Sequence, residues 1–363
     1  MQVGIVGLPN AGKTTLFNAL TKAGAEVANY LFTTTSKNVG VAEVPDERLH
    51  KIADIVKSQR IIPATIKFVD VAGLVRGASK GEGLGNQFLS YIREADVLVH
   101  VVRCFKDENI AHLDGELHPI VDIETVNLEL ILADLEVVER QIGRVAKHVK
   151  AGERKYKEEM EVLERVKDAL QRGIPVRNVD LIPERRQILS SLNLLTAKPI
   201  IYVANISEEG IPGEGDMLAR QVLDQARSDG LEAVVIPAKL EAEIAELPSD
   251  EAKTFREEMG LDKSDLGRLI RICYELLGLI TFFTTASNEC RAWTVKRGTK
   301  APQAAGKVHT DMEKGFIKAE VVSYEDLVRD GSLHAAREHG HLLLEGREYE
   351  VRDGDIIYFK FAV

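Results

Sequence analysis

The sequence predicts a mixed α/β domain that is interrupted by an α-helical hairpin and followed by a smaller α+β domain. Apolar segments of strand length alternate with helical segments in 1–122 and again in 195–280. A helical heptad pattern fills 123–194, and short strands separated by turn residues fill 281–363. At 363 residues the chain also exceeds what one hydrophobic core comfortably serves. We therefore expect a discontinuous α/β domain with a helical insertion, then an independent C-terminal domain.

Composition places the chain among soluble globular proteins, with 45% apolar and 29% charged residues. We expect a cytoplasmic protein without membrane association, because no apolar run approaches the ~18 residues of a membrane span. The first residues already read as a strand, which leaves no room for a cleaved signal sequence. The three cysteines lack C-x-x-C spacing, which favours reduced core thiols over a metal site. A net charge of −10 argues against a general nucleic-acid coat, so we expect no DNA partner, but it allows a local basic patch.

The first strand runs directly into a glycine-framed loop and a helix. The loop reads Gly7-Leu8-Pro9-Asn10-Ala11-Gly12-Lys13-Thr14, with the spacing G-x-x-x-x-G-K-[ST] of a phosphate-binding P-loop. Backbone amides of such a loop and the helix N-terminus face phosphate oxygens. Lys13 is expected to reach the β- and γ-phosphates, and Thr14 is expected to ligate Mg²⁺. The residues predicted to contact the nucleotide here are Asn10, Ala11, Gly12, Lys13, Thr14 and Thr15. This segment predicts an α/β P-loop NTPase domain.

Two further segments fit the γ-phosphate side of such a site. One of Thr33, Thr34 and Thr35 is expected to close over Mg²⁺, and spacing alone does not choose among them. The alternative is a threonine-rich surface loop. The strand at 66–73 ends in Asp-x-x-Gly, where Asp70 would support Mg²⁺ and the amide of Gly73 would meet the γ-phosphate.

The residue after that glycine bears on hydrolysis. Switch NTPases often place a water-orienting glutamine there, whereas this chain has Leu74, which cannot hydrogen-bond a nucleophile. Hydrolysis is therefore expected to be slow or to use a group from elsewhere. His112 is a catalytic candidate delivered by loop motion, and an ordinary exposed loop histidine is the alternative.

The heptad pattern predicts two helices that form a protruding hairpin. Its first seam consists of Leu128, Ile131, Leu135, Val138, Ile142 and Val145. Basic residues crowd the region of the tip: Arg140, Arg144, Lys147, His148, Lys150, Arg154, Lys155 and Lys157. Glutamates interleave with them, so contact with an RNA backbone and a solvated helix face both remain open.

Two later loops are expected to contact the base. Asn205-Ile206-Ser207-Glu208 and Ala238-Lys239 each follow a buried strand, and such loops share one crevice in an open α/β sheet. GTP-specific proteins have N-K-x-D at the first loop, so the replacement of its Lys and Asp should weaken guanine selectivity. Asn205, Ile206, Glu208, Ala238 and Lys239 are the predicted base-side contacts.

The last segment predicts strands at 290–295, 315–322, 348–351 and 356–361, with a turn at Asp353-Gly354. The basic residues in its first half are compatible with RNA binding and equally with a surface that contacts another protein. His339-Gly340-His341 resembles a metal pair, but no other ligand is near in sequence, which favours an exposed loop.

Together these motifs resemble the YchF/Obg-like ATPase family, within the Obg-related, translation-factor class of P-loop NTPases. The resemblance spans essentially the whole chain and rests on the P-loop, Ala28-Asn29-Tyr30, Asp70-Val71-Ala72-Gly73-Leu74-Val75, the glycine-rich run 77–86, Asn205-Ile206-Ser207-Glu208 and Arg291-Ala292-Trp293-Thr294. It implies a coiled-coil insertion and a TGS-like C-terminal domain of β-grasp fold. It also implies a preference for ATP over GTP, dependence on Mg²⁺, association with ribosomes and ribosomal RNA, and an apolar residue at the position of Leu74.

The same resemblance aligns the family's switch threonine with Thr34, its acid beside Mg²⁺ with Asp70, and a position linked to a stimulatory K⁺ with Asn10. The chain departs from the family pattern at Leu31, where proline is usual, and at Thr35-Ser36-Lys37. We therefore expect a slow, Mg²⁺-dependent ATPase that acts as a ribosome-associated switch. A nucleotide-sensing binding module with incidental hydrolysis and a GTP-driven switch are the alternatives.

Overall fold

The structure is a computed structural model that describes residues 1–22, 38–71, 84–106, 117–150, 155–208, 217–259, 265–286 and 288–362. Its strands are β1 (Gln2–Val6), β2 (Asn38–Glu43), β3 (Arg60–Ile62), β4 (Thr65–Asp70), β5 (Val97–Arg103), β6 (Ile200–Asn205), β7 (Glu232–Ile236), β8 (Leu279–Ala286), β9 (Glu289–Lys296), β10 (Phe316–Val322), β11 (Leu343–Glu345) and β12 (Ile356–Phe361). Its helices are α1 (Lys13–Lys22), α2 (Glu47–Val56), α3 (Leu84–Glu94), α4 (Pro119–Lys150), α5 (Lys155–Gln171), α6 (Pro183–Ile188), α7 (Met217–Asp229), α8 (Ala238–Ile244), α9 (Ser249–Glu258), α10 (Asp265–Leu276), α11 (Ala301–Val308), α12 (Thr310–Lys314), α13 (Tyr324–Asp330) and α14 (Leu333–Glu338). The chain divides into two compact units, Met1–Val41 with Lys67–Leu266 and Ala42–Ile66 with Gly267–Val363.

A six-stranded sheet in the order β2-β4-β1-β5-β6-β7 forms the centre of the first unit. Strand β1 pairs in parallel with β4 and β5, and β5, β6 and β7 continue in parallel. These strands are nearly continuous apolar runs, as expected for parallel strands covered on both faces. Their carboxyl ends therefore meet at one edge, where the P-loop and the loops after β4, β5, β6 and β7 begin. The predicted α/β fold class is confirmed, although Ala238 and Lys239 begin helix α8 rather than belonging to a loop.

The hairpin consists of α4 and α5, between β5 and β6. Gln141 bonds Glu159 at 2.9 Å while Glu139 pairs with Lys167 at 2.9 Å, so the two helices run antiparallel. Their facing side chains form a separate apolar cluster with the segment that returns to the sheet. The predicted seam is wrong at its first position, because Leu128 is 53% exposed and the buried stripe begins at Ile131.

The second unit carries a six-stranded sheet in the order β11-β10-β12-β8-β9-β3, with α11 packed on one side. Strand β8 pairs antiparallel with β9 and parallel with β12. The strand predicted at 348–351 is not formed, because Tyr349 and Val351 instead bond the backbone of Ala301 and Thr299 beside an isolated bridge. The short strand of this region is β11. Gly354, at φ +91°, makes the predicted turn before β12.

Cys104, Cys273 and Cys290 are buried free thiols, as predicted. Among the helices of the described ranges, none combines the length and the apolar character that crossing a membrane requires.

Candidate nucleotide-binding site

The loop between β1 and α1 adopts a conformation that its glycines make possible. Gly7 has φ +149°, and a Cβ atom there would lie 2.4 Å from the Val101 carbonyl oxygen. Gly12 has φ +92°, and a Cβ atom there would lie 2.1 Å from Nδ2 of Asn205. Both positions exclude larger residues by backbone angle and by space. The loop then leads into α1 without a break, since the amide of Leu16 donates to Gly12 O at 2.9 Å.

Lys13, the first residue of α1, is held inside this loop. Its side chain is 7% exposed, and Nζ donates to the Leu8 carbonyl oxygen at 2.7 Å. Burial lowers the pKa of Lys13 to about 8, against the attraction of Asp70, which acts to raise it. The negative charges of a polyanion in the loop would stabilise the protonated ammonium form of Lys13, which burial disfavours.

Thr14 and Asp70 meet beside the lysine. The Thr14 hydroxyl donates to Oδ2 of Asp70 at 2.8 Å, and Oδ1 of Asp70 is buried with no hydrogen-bond partner among the described residues. Burial raises the pKa of Asp70, while the Thr14 hydrogen bond, the charge of Lys13 and a hydrogen bond with Asn38 oppose that rise. A hydroxyl and a carboxylate with a spare oxygen are the hard ligands that Mg²⁺ takes, so these residues fit the ion.

Asn205, at the end of β6, joins the P-loop to the neighbouring loops. Its Nδ2 donates to the Ala11 carbonyl oxygen at 2.9 Å, and its Oδ1 accepts from the Ala238 amide at 3.1 Å. The side chain is 4% exposed, so both bonds lie out of water. Asn205 therefore fixes the first turn of α8 and the P-loop relative to each other.

A cavity of about 620 Å³ opens above these residues at the carboxyl edge of the sheet. Its lining comprises Asn10, Gly12, Lys13, Thr14, Thr15, Phe105, Lys106, Asn205, Ile206, Ser207, Glu208, Lys239 and Leu240. The volume and the mixture of apolar walls with a few polar groups are typical of a small-molecule site. Near its mouth, Nζ of Lys239 lies 3.4 Å from Oε1 of Glu208.

The structure thus brings most of the predicted site residues together. The predicted residues that line the cavity are Asn10, Gly12, Lys13, Thr14, Thr15, Asn205, Ile206, Glu208 and Lys239. Ala11 and Ala238 hold Asn205 through backbone groups, and Asp70 reaches the site through Thr14. Thr34, Gly73 and His112, together with Leu74, lie outside the described residues, and the role of each stays a prediction.

Four residues of the lining are not among the predicted contacts: Phe105, Lys106, Ser207, which lies inside the predicted base-side loop, and Leu240. Phe105 and Lys106 follow the end of β5 after Cys104, so the rule that pointed to Asn205 applies to them as well. The guanidinium of Arg103 lies 4.8 Å from the Phe105 ring centroid, and its Nε donates to the Phe105 carbonyl oxygen at 3.1 Å. Leu240 becomes identifiable only once α8 is known to begin at Ala238.

Comparison with known proteins agrees with this architecture. Residues 2–134 match the sequence model of a family described as 50S ribosome-binding GTPase. Residues 279–362 match YchF-GTPase_C, described as a protein of unknown function (DUF933). The protein named ribosome-binding ATPase YchF is 50% identical in Bacillus subtilis, over 100% of both chains. The protein of that name in Escherichia coli O157:H7 is 49% identical, over 99% of both chains.

A solved structure, that of the Schizosaccharomyces pombe YchF GTPase, superposes with a TM-score of 0.88 at 36% identity, covering 99% of this chain and 97% of that one. Full-length identity to curated relatives, together with this structural match, shows that the chain belongs to the YchF family.

Proposed function

We propose that the protein is a cytoplasmic, Mg²⁺-dependent ATPase of low intrinsic rate, which acts as a nucleotide-dependent switch on the ribosome. The names of its relatives support both ATP and the ribosome as partners. The name of the fission-yeast relative specifies a GTPase, so the choice of base has to come from this chain's own residues.

The observation that carries the proposal is the chemistry of the base-side loop. Ile206 is 3% exposed and packs into the apolar core, at the position where guanine-specific proteins have a lysine. Glu208 lies opposite Lys239 at 3.4 Å, so its carboxylate is already paired with a cation at the cavity mouth. A guanine-selective site has an acid that accepts from two donors of the base, the ring N1–H and the exocyclic N2 amine. The exocyclic amine of adenine donates one hydrogen bond on this side of the base, and the carboxylate of Glu208 can accept it.

The phosphate side supports hydrolysis. Lys13 and the loop amides would neutralise charge that develops on the transferred phosphoryl group. Thr14 and Asp70 would hold Mg²⁺, which when bound adds positive charge between the phosphates. With leucine at position 74, the chain lacks the usual water-orienting side chain there, which supports a slow basal rate.

Nucleotide titration tests the proposal. With Mg²⁺ present, we expect ATP to bind more tightly than GTP, and Lys13→Ala to abolish hydrolysis. Binding of GTP without ATP would overturn the base assignment. Unchanged turnover in the Lys13 variant would remove the catalytic assignment.

A paired substitution tests the base-side loop itself. Replacing Ile206 with Lys and Glu208 with Asp should move the preference toward GTP. Glu243→Gln is the matched control, because Glu243 also approaches Lys239, at 4.0 Å, but lies outside the cavity lining. The control should leave the ratio of ATP to GTP affinity unchanged.

Ribosome association is tested by co-sedimentation with ATP, ADP or no nucleotide. Arg140, Arg144 and Lys147 lie exposed on the outer part of α4 and are the described residues that we propose for RNA contact. Their joint replacement by glutamate should reduce co-sedimentation and its dependence on salt. If co-sedimentation and its dependence on salt are both unchanged, the contact with RNA would instead be assigned to the C-terminal domain.

A nucleotide sensor with incidental hydrolysis is the second candidate, and leucine at position 74 favours it. Single-turnover hydrolysis with and without ribosomes separates the two functions. Acceleration by ribosomes supports the ATPase switch, and an unchanged rate supports the sensor.

A further inference from the structure

The ends of two short helices in the second unit bring an acid and two histidines together. Asp330 is the last residue of α13, and His339 directly follows α14. Gly331 (φ +72°) and Gly340 (φ +77°) reverse the chain after each helix. Because Gly340 turns the backbone between them, His339 and His341 both face Asp330. Asp330 is therefore a third potential ligand, although its position in the sequence does not reveal this. Its presence overturns the expectation that the histidine pair has no other ligand nearby.

The donor atoms form a compact triangle. Nδ1 of His339 lies 3.0 Å from Oδ1 of Asp330, and Nδ1 of His341 lies 2.7 Å from Oδ2. One donor atom from each of the three residues lies within 4.8 Å of the other two. Tetrahedral metal bonds of ~2.0–2.2 Å separate neighbouring ligand atoms by roughly 3.3–3.6 Å. The two His–Asp separations are shorter than this by several tenths of an ångström, so both imidazoles would move outward from the carboxylate on binding.

Exposure and charge suit a bound cation. The Asp330 side chain is 3% exposed, whereas His339 and His341 are 58% and 35% exposed, so the acid forms the floor of an open site. Hydrogen bonds from both imidazoles lower the pKa of Asp330.

We propose that Asp330, His339 and His341 form a binding site for a borderline divalent metal ion of the Zn²⁺ class. Two imidazoles and one carboxylate are a ligand set that Zn²⁺ uses where a coordination position stays open. On binding, each imidazole gives its Nδ1 lone pair to the metal and carries its proton on Nε2. Mg²⁺ and Ca²⁺ prefer oxygen ligands and are excluded by the two nitrogens.

Arg329 is the feature that opposes metal binding. Its Nη2 lies 3.0 Å from Nδ1 of His341, and its guanidinium also pairs with Asp326 and, at 3.8 Å, with Asp330. The side chain is 58% exposed, so water can replace the contact between its guanidinium and the imidazole. Its positive charge nevertheless lowers the affinity for a cation, and its removal should raise that affinity.

The experiment titrates the full-length, nucleotide-free protein with Zn²⁺ in a millimolar excess of Mg²⁺, which competes for sites built from oxygen ligands. Calorimetry reports the affinity for Zn²⁺, and the visible absorption of added Co²⁺ reports nitrogen coordination. We expect one Zn²⁺ per chain, and at least a tenfold loss of affinity in His339→Gln and His341→Gln. Asp330→Asn should show the same loss, and thermal melting without metal confirms that each variant is folded.

His334→Gln is the matched control, since His334 lies on α14 and pairs with Glu338 outside the triangle. Its affinity for Zn²⁺ should equal that of the unsubstituted protein, and Arg329→Gln should bind several-fold more tightly. No saturable binding, or equal binding in the His339 and His341 variants, would overturn the site. Either result would leave the cluster as a set of hydrogen bonds that hold the two helix ends.

Discussion

At the scale of single residues, Lys13 shows how burial prepares a side chain for a polyanion. Its amine is bonded to the Leu8 carbonyl, and burial is the main cause of its depressed pKa. The ordinary side-chain pKa of lysine is 10.5, and that of Lys13 is about 8. Between these values the unfolded chain binds more protons than the folded one. This group therefore makes the free energy of unfolding of the nucleotide-free protein rise with pH across that window.

Nucleotide binding should show the opposite trend. Triphosphate favours the ammonium form, so a proton is taken up on binding once the free protein has lost it. We predict that affinity for ATP falls above pH 8, by up to about tenfold per pH unit. Isothermal titration from pH 7 to 9.5 measures this. In Lys13→Met the slope should vanish, and an affinity of the unsubstituted protein that stays flat to pH 9.5 would contradict the prediction.

At the scale of secondary-structure elements, Asp134 ties the hairpin to the chain that returns from it. It lies on α4 and is fully buried. Its carboxylate accepts from the amides of Leu195 and Thr196 at 2.8 and 2.7 Å, and from the Thr196 hydroxyl at 2.8 Å. These bonds fix the 3₁₀ turn at Leu195–Ala197, two residues before β6. The heptad pattern predicts the helix, but not this anchor.

Removing the anchor leaves buried donors unsatisfied. Each buried, unpaired amide costs ~1–3 kcal/mol. We therefore predict that Asp134→Ala lowers the free energy of unfolding by about 3 kcal/mol, measured by urea denaturation. Glu136→Ala is the control, because Glu136 is exposed on the same helix. Its change should stay within ~0.5 kcal/mol, and a similarly small change in Asp134→Ala would refute the anchoring role.

At the scale of the whole molecule, the second compact unit is discontinuous in sequence. Residues 42–66 join the segment that begins at Gly267. Strand β3 adds an edge to the second sheet through β9, with Ile61 opposite Cys290. Arg48 of α2 donates to Asp353 at 2.7 Å and lies over the Phe283 ring at 5.5 Å. These contacts join positions more than 200 residues apart, so no local pattern signals them.

This arrangement predicts how an isolated C-terminal segment behaves. A fragment of residues 267–363 should melt at a lower temperature and less cooperatively than the same segment joined through a short linker to residues 42–66. The reason is that the shorter fragment exposes the β9 edge and the apolar surface under α2. Thermal unfolding followed by circular dichroism compares the two fragments. Equal melting curves would show that 42–66 adds no stability.

The domain limits predicted from the sequence differ from the division into two compact units, and they remain a proposal. Placing the insertion at 123–194 and the last domain at 281–363 follows changes in local pattern. The structure groups the hairpin with the first unit and residues 42–66 with the second. Only long-range contacts decide such groupings.

By itself, the sequence determined the phosphate loop, the alternation of strands and helices in the first domain, the helical hairpin and the position of Asn205 at the end of a strand. Each of these features follows from residues that are close in sequence: the spacing of Gly7 and Gly12, apolar runs of strand length, and a seven-residue repeat. Local hydrogen bonding and side-chain periodicity act over the same distances, which is why pattern predicts them.

The tertiary structure alone decided which groups meet across long separations. It set Asn205 between Ala11 and Ala238, Asp134 beneath Thr196, and Asp330 between His339 and His341. It also left Leu128 in water, although the heptad pattern includes it. Burial and polar pairing depend on packing between distant segments. The free energy that they contribute is gained only once the sheets and helices have assembled.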